Sequence, residues 1–212
     1  MCRPTLKRNF TKYLPIIILF FTALRILAAL RIPYMILADQ RYDDRMLFEN
    51  AYDLLSGVWL GSYDAYTLAK GIGYPLFLVL AKKLCLPYSM LLALLQAVGA
   101  WLFVRAVSVR WQNPYGQAIL YLLLLFSPIS LTLLVTQRLY RMAIVPGMVL
   151  VVFSGMIGLT LRKELPLKKQ LPWAILTGVA LAFFWQIRED SVWILPFIAV
   201  MTVWNVGYVI LA

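Results

Sequence analysis

Residues 88–109 read YSMLLALLQAVGAWLFVRAVSV, and Arg105 is the only charged residue among them. A helix crosses the hydrocarbon core of a bilayer with about 20 mostly apolar residues, which this segment supplies. Five other segments meet the same condition: Tyr13–Arg31, Gly116–Thr136, Met142–Leu161, Leu171–Ile187 and Ser191–Ala212. The sequence therefore predicts an all-α, polytopic membrane protein with six transmembrane helices.

The composition of the whole chain agrees with this fold class. The 212 residues are 63% hydrophobic and 14% charged, whereas soluble domains carry about 25% charged residues. A soluble domain of this size could not bury so much apolar surface. We expect residues 1–212 to form a single transmembrane domain. Because the chain stops at the apolar run Val209–Ala212 without a polar flank, we expect it to be the N-terminal portion of a longer protein.

The residue types present limit the possible chemistry. The chain contains no histidine, which excludes His-based acid–base catalysis and His-containing zinc sites. Its two cysteines, Cys2 and Cys85, are predicted to lie on opposite membrane faces, so no disulfide within the chain is expected. Any enzymatic chemistry must therefore come from carboxylates, lysines, arginines, hydroxyls or a bound metal ion.

The distribution of charge predicts the orientation in the membrane. When the N-terminus is placed in the cytoplasm, the cytoplasmic side carries a net charge of +9 and the outer side +1. This agrees with the positive-inside rule, by which basic residues collect on the cytoplasmic side. We therefore expect an integral protein, placed in a bacterial plasma membrane, whose active face points outward. Attraction of the basic side to anionic lipid explains the overall charge of +11, and no nucleic-acid partner is expected. The inner bases are Arg3, Lys7, Arg8, Lys12, Arg105, Arg110, Arg162, Lys163, Lys168 and Lys169.

The outer loop over residues 32–87 is the longest predicted connection, and it holds six of the nine acidic residues. From Asp43 it reads DDRMLFENAYDLLSG, in which apolar residues recur at helical spacing and Gly57 is a plausible helix stop. The segment Tyr74–Leu86 is apolar but too short to span a membrane. The loop is thus predicted to carry two helices lying at the membrane surface.

The pattern D-D-x6-A-x-x-L-L-x-G, followed by WLGSYDAYTLAKGIGYPLFLVL, resembles the first outer loop of GT-C-type glycosyltransferases. These polytopic enzymes use polyprenyl-phosphate sugars and include bacterial relatives of protein O-mannosyltransferases and lipid A aminoarabinose transferases. The resemblance implies that Asp43 is the catalytic base and Asp44 the second acidic residue. It also implies that Lys70-Gly71-Ile72-Gly73-Tyr74-Pro75 leads into the second surface helix, with Gly-Ile-Gly where the family usually has paired prolines.

Both acidic residues also have a simpler interpretation. Asp43 and Asp44 fall in the first turn of the predicted helix, where carboxylates stabilise the helix dipole by about 0.3–1 kcal/mol each. The alternative is that one takes a proton from a hydroxyl, or that the pair holds a divalent cation. With no histidine available, such a cation would be Mg²⁺ or Mn²⁺, with Ca²⁺ also compatible with carboxylate ligands.

Four cations on the predicted outer side are candidates for binding the phosphate of a lipid donor: Lys70, Arg138, Arg141 and Arg188. Arginine and lysine hold phosphate by charge-assisted hydrogen bonds. Each of them could instead be a basic residue that reaches from a helix end to the lipid interface. Arg25, which lies within the first predicted span, is interpreted as structural or lipid-contacting.

These patterns together predict an inverting glycosyltransferase. It would move a sugar from a polyprenyl-phosphate donor to an acceptor glycan, lipid or protein on the outer face, with membrane lipid as its surroundings. The alternatives are a transporter or lipid-flipping subunit, and a non-catalytic membrane scaffold. A transporter should show charged residues and helix breaks inside its spans. The sugar and the acceptor are not identified by the sequence.

Overall fold

The computed structural model of the chain describes residues 4–36, 44–59, 70–132, 137–188 and 190–211. These residues form helices joined by turns, with one isolated β-bridge, so the fold is all-α as predicted. The helices are α1 (Pro4–Ala29), α2 (Met46–Leu55), α3 (Gly73–Lys83), α4 (Tyr88–Val107), α5 (Pro114–Leu125), α6 (Pro128–Leu131), α7 (Val145–Thr160), α8 (Leu167–Ile187) and α9 (Leu195–Leu211).

Proline and asparagine define several helix starts. Pro87 and Pro166 immediately precede α4 and α8, where the fixed proline φ suits entry into a helix. Asn113 caps α5: its side-chain oxygen accepts a hydrogen bond from the backbone N–H of Tyr115, with Pro114 in the first turn. This is the preferred arrangement of a helix N-terminus.

Two helices, α4 and α8, are long and apolar enough to cross a membrane by length and composition, among the residues that the structure describes. Each of the other predicted spans contains a shorter apolar helix: Tyr13–Ala29, Pro114–Leu125, Val145–Thr160 and Ser191–Trp204. Helix formation in the six apolar segments is therefore observed, whereas six membrane crossings stay a prediction.

The third predicted span, Gly116–Thr136, is wrong as one continuous helix. Helix α5 ends at Leu125, and the short helix α6 begins only at Pro128. Ser127 is extended, with ψ at 130°, because the ring of a following proline disfavours the helical conformation. Arg25 of α1 is 3% exposed and donates from Nη2 to the Ser130 carbonyl at 2.9 Å. The arginine therefore has a structural contact beside the break and is buried within the protein.

The core is built around α7, which packs between α4 and α8. Small residues allow these backbones to approach closely, as is common between membrane helices. A Cβ added to Gly147 of α7 would lie 2.8 Å from Leu95 Cγ, and one added to Gly99 of α4 would lie 2.9 Å from Leu150 Cβ. The site described next lies at the end of this packing where α3, α4 and α7 begin.

Both helices predicted between residues 32 and 87 are present. Helix α2 buries Met46, Leu47 and Ala51, and it is followed by Gly57 at a φ of 81°, which confirms the predicted stop. Helix α3 is three residues shorter at its C-terminus than the predicted segment Tyr74–Leu86. Helices α2 and α3 pack against each other, and α3 packs against α8.

Candidate functional site

The carboxylate of Asp44 pairs with the guanidinium of Arg138. Arg138 donates from Nε to Oδ2 at 2.8 Å, and its Nη2 lies 2.7 Å from Oδ1. The Asp44 side chain is 0% exposed and that of Arg138 is 26% exposed. A two-point arginine–carboxylate pair fixes both position and plane of the guanidinium, so Asp44 orients Arg138.

This pair joins two distant segments, and the backbone holds them together. The Met35 N–H donates to the Gln137 carbonyl at 2.8 Å, and the Leu139 N–H donates to the Met35 carbonyl at 3.0 Å. The connection after α1 is thereby tied to the turn before α7. Asp44 and Arg45 are π-helical and lead directly into α2, and Arg45 makes no side-chain capping bond. Asp44 therefore lies at the start of the helix, as predicted, and its carboxylate also pairs with Arg138.

Three of the four predicted phosphate-binding cations surround one ring, that of Tyr140. The ring centroid lies 4.4 Å from Arg138 Cζ, 5.7 Å from Arg141 Cζ and 5.5 Å from Lys70 Nζ. Arg141 also donates from Nε to the Tyr140 hydroxyl at 3.3 Å. An aromatic face attracts cations within about 6 Å. The Tyr140 ring therefore offsets part of the repulsion between the three positively charged side chains around it.

Arg188, the fourth predicted cation, adjoins this group through Asp190. Arg188 donates from Nε to Asp190 Oδ1 at 2.6 Å, and Nη1 contacts Met142 Sδ. The hydrogen bond from Arg188 holds the pKa of the Asp190 carboxyl below its usual value, and the charge of Arg141 contributes to the same shift. Arg141 therefore lies near the Arg188–Asp190 pair, and the four cations share one end of the molecule.

The glycines after Lys70 explain how that residue reaches the group. A Cβ added to Gly73 would lie 2.8 Å from the carbonyl carbon of Gln186, and Gly71 is packed against the same carbonyl group. Gln186 stands at the C-terminal end of α8, two residues before Arg188. The Gly-Ile-Gly sequence thus lets the start of α3 lie directly on the end of α8.

Behind Asp44 lies a buried pair of tyrosines. The Tyr74 and Tyr88 hydroxyls are 2.7 Å apart. Burial raises the pKa of the Tyr74 hydroxyl well above its usual value, with smaller contributions from Tyr88 and from the charge of Asp44. Tyr74 is therefore an uncharged hydrogen-bonding group at physiological pH.

A groove of about 640 Å³ lies beside these tyrosines, between α2, α3 and the start of α4. Tyr88 and Leu139 belong to its wall, and Leu139 follows Arg138 in sequence, so the groove begins next to the cations. It is mostly apolar, with Lys82 among its lining residues. The full lining is Tyr34, Phe48, Ala51, Tyr52, Leu55, Ser56, Leu78, Ala81, Lys82, Leu86, Pro87, Tyr88 and Leu139.

The described residues do not fit a divalent-cation site. Both oxygens of Asp44 accept hydrogen bonds from Arg138, so a positive charge already lies next to this carboxylate. Among the described residues, no three Asp, Glu, Cys or His side chains come together. Asp43, the other predicted Mg²⁺ or Mn²⁺ ligand and the predicted base, lies outside the described residues.

The structure thus brings together Asp44, Lys70, Arg138 and Arg141, with Arg188 adjoining them. Sequence reasoning missed Tyr140 and the pairing of Asp44 with Arg138. The Arg138-Leu139-Tyr140-Arg141 run was a usable signal for Tyr140, since it places an aromatic ring between two bases. No protein-family model, curated protein or solved structure matches this chain.

Proposed function

We propose that this protein is a membrane glycosyltransferase that moves a sugar from a polyprenyl-phosphate donor to an acceptor on the outer face, with inversion at the anomeric carbon. The observation that carries the proposal is the convergence of Lys70, Arg138 and Arg141 on Tyr140, beside the loop that supplies the acidic pair. That loop is also where the resemblance to GT-C glycosyltransferases lies.

The charge of the group suits a phosphate ligand. It contains four cations, Lys70, Arg138, Arg141 and Arg188, at one end of the molecule. Asp44 fixes the plane of the Arg138 guanidinium. Arginine and lysine hold phosphate by charge-assisted hydrogen bonds, which favours an anionic group at the surface of Tyr140.

The chemistry proposed is one displacement. An acceptor oxygen attacks the anomeric carbon while the bond from that carbon to the phosphate oxygen breaks, and the electron pair leaves with the phosphate. Asp43 takes the proton of the acceptor hydroxyl. Lys70 and Arg141 stabilise the charge that develops on the phosphate, and Asp44 acts as a positioning residue that holds Arg138.

The proposal assumes the six-span topology with an outer loop over residues 32–87. Exposed apolar side chains on α1, α5, α8 and α9 support it: Leu19, Leu123, Val179 and Val203 are each at least 64% exposed. Arg25, Gln96 and Ser154 are instead buried between helices. Apolar residues outside and polar residues inside are what a bilayer favours.

The test is sugar transfer from a polyprenyl-phosphate donor by purified variants. We expect Asp43→Asn to lower the turnover by about 10²–10⁴-fold, since it cannot accept the proton, while folding is unchanged. Asp53→Asn, in α2 of the same loop, is the control and should match wild type. Wild-type turnover in Asp43→Asn and in Asp44→Asn would overturn the proposed site.

A second candidate, a lipid-translocating protein, is favoured by one observation. Arg25 is buried beside the break at Ser127 and Pro128, and charged residues near interrupted helices are typical of transport pathways. Translocation of labelled polyprenyl phosphate across vesicles distinguishes the two. Translocation that is lost in Arg25→Gln, without any sugar transfer by wild type, would favour this candidate over the transferase.

A further inference from the structure

A second groove lies at the opposite end of the helix bundle, between α1, α4 and α5. Its volume is about 290 Å³, and most of its wall is apolar. The end of α4 and the start of α5 both contribute to it, so it lies on the side predicted to be cytoplasmic. Neither the proposed transfer nor the outer cations involve this groove.

The polar groups of the groove are gathered at one end. Arg105, near the C-terminus of α4, is exposed and lies above the ring of Trp101 at 5.9 Å. Gln117, in the first turns of α5, donates from Nε2 to the Trp111 carbonyl at 2.6 Å. Among the described residues no carboxylate forms an ion pair with Arg105. The mouth of the groove therefore carries a positive charge that no described carboxylate pairs with.

Deeper in the bundle the groove becomes apolar. Ile18 of α1 lines it there, and the hydroxyl of Tyr121 is turned to a partner, Thr22 Oγ1, at 2.7 Å. The positive mouth suits the phosphate headgroup of a phospholipid, and the apolar interior suits one of its acyl chains. An exposed tryptophan at the same level is typical of the headgroup region.

We propose that this groove binds an anionic phospholipid of the inner leaflet, with the headgroup phosphate on Arg105 and an acyl chain against Ile18 and Tyr121. Charge complementarity selects this occupant, because the surrounding helix ends carry Arg110, Lys163, Lys168 and Lys169 against Glu164 alone among the described residues. The inference rests on the membrane embedding assumed in the proposed function, but not on glycosyl transfer.

The experiment is native mass spectrometry of the whole chain in a neutral detergent, titrated with phosphatidylglycerol or phosphatidylcholine. We expect wild type to bind phosphatidylglycerol more tightly. Arg105→Gln should weaken that binding about fivefold, which is the effect of one cation near an anionic lipid. Arg110→Gln removes the same charge outside the groove and should stay within about twofold of wild type.

Leu14→Trp provides a second test that leaves the charge unchanged. Leu14 lines the groove near its mouth, so a larger side chain should obstruct the acyl chain and weaken phosphatidylglycerol binding while Arg105 is intact. Equal losses in Arg105→Gln and Arg110→Gln would overturn the inference, as would wild-type affinity in Leu14→Trp. Equal affinity of wild type for the two lipids would also overturn it. The sugar-transfer assay of Asp43→Asn does not depend on lipid binding in this groove. Failure of the lipid inference can therefore be distinguished from failure of the proposed transferase function.

Discussion

Asp44 pairs with Arg138 through a carboxylate that is fully buried. Removing one partner of a buried pair leaves an uncompensated charge, which costs about 3–5 kcal/mol. We expect Asp44→Asn to lower the free energy of unfolding by about 3 kcal/mol, since Arg138 is partly exposed. Chemical denaturation in detergent measures this change.

Glu49→Gln is the matched control for that substitution. Glu49 lies in α2 and accepts a hydrogen bond from Arg45 at 2.7 Å, but both side chains are more than half exposed. An exposed pair of this kind contributes about 0.3–0.5 kcal/mol. Equal destabilisation by Asp44→Asn and Glu49→Gln would show that Asp44 does not pair with Arg138 as described.

Tyr140 gives a second prediction at this scale. Tyr140→Leu removes the ring that attracts Lys70, Arg138 and Arg141, and each such contact contributes about 0.5–1 kcal/mol. We therefore expect the KM for the polyprenyl-phosphate donor to rise about tenfold, with a smaller change in kcat. Tyr140→Phe keeps the ring and loses only the hydroxyl that accepts a hydrogen bond from Arg141, so its KM should rise less than that of Tyr140→Leu. Indistinguishable KM values for the two variants would mean that the ring does not organise the cations.

Single residues also show what the sequence could and could not predict. The cations were identified because positive charge near a predicted helix end is visible in a sequence window. The pairing of Asp44 with Arg138 joins residues 94 positions apart, and no local period or spacing encodes such a contact. The same limit explains why Asp44 was interpreted from its local position, as a first-turn acid, rather than from its partner.

At the scale of elements, the contact of α3 with α8 depends on glycine. Gly73→Ala would place a methyl group 2.8 Å from the carbonyl carbon of Gln186, and backbone cannot move aside as a flexible side chain can. We expect a loss of about 1–3 kcal/mol in unfolding free energy, together with weaker donor binding because Lys70 is displaced. Thermal unfolding and the transfer assay measure the two effects.

Gly178→Ala is the control within the same pair of elements. Gly178 lies inside α8, and an added Cβ there meets nothing within 4 Å. Alanine is favoured over glycine by up to about 1 kcal/mol inside a helix. This variant should therefore be as stable as wild type or more so. A loss as large as that of Gly73→Ala would contradict close packing at Gly73 as the cause.

The elements that were predicted well are those whose signal is local. Each of the six apolar runs contains a helix in the structure, and Gly57 correctly predicted the end of α2. The break between α5 and α6 was missed because Phe126-Ser127-Pro128 lies within a continuous apolar run. The conformational restriction that proline imposes on Ser127 was the available signal, and hydropathy alone does not register it.

For the whole molecule, the decisive property is its orientation in the membrane, and Cys85 offers a native probe of it. Cys85 is exposed, follows α3 and has a φ of 53°. The proposed topology places it outside, so a membrane-impermeant maleimide should label it in intact cells. Cys85→Gly removes this label without a folding cost, because glycine adopts a positive φ more readily than cysteine does.

The opposite face is tested in a Cys2→Ser/Cys85→Gly background, which has no native cysteine. Lys168 is exposed near the start of α8, on the side predicted to be cytoplasmic, so Lys168→Cys should react only after the membrane is permeabilised. Labelling of Lys168→Cys in intact cells, together with protection of Cys85, would show that the orientation is the reverse of the proposed one. The cations around Tyr140 would then face the cytoplasm and the anionic-lipid groove would face outward. Both proposals would be contradicted, because each assigns its site to the opposite side of the membrane.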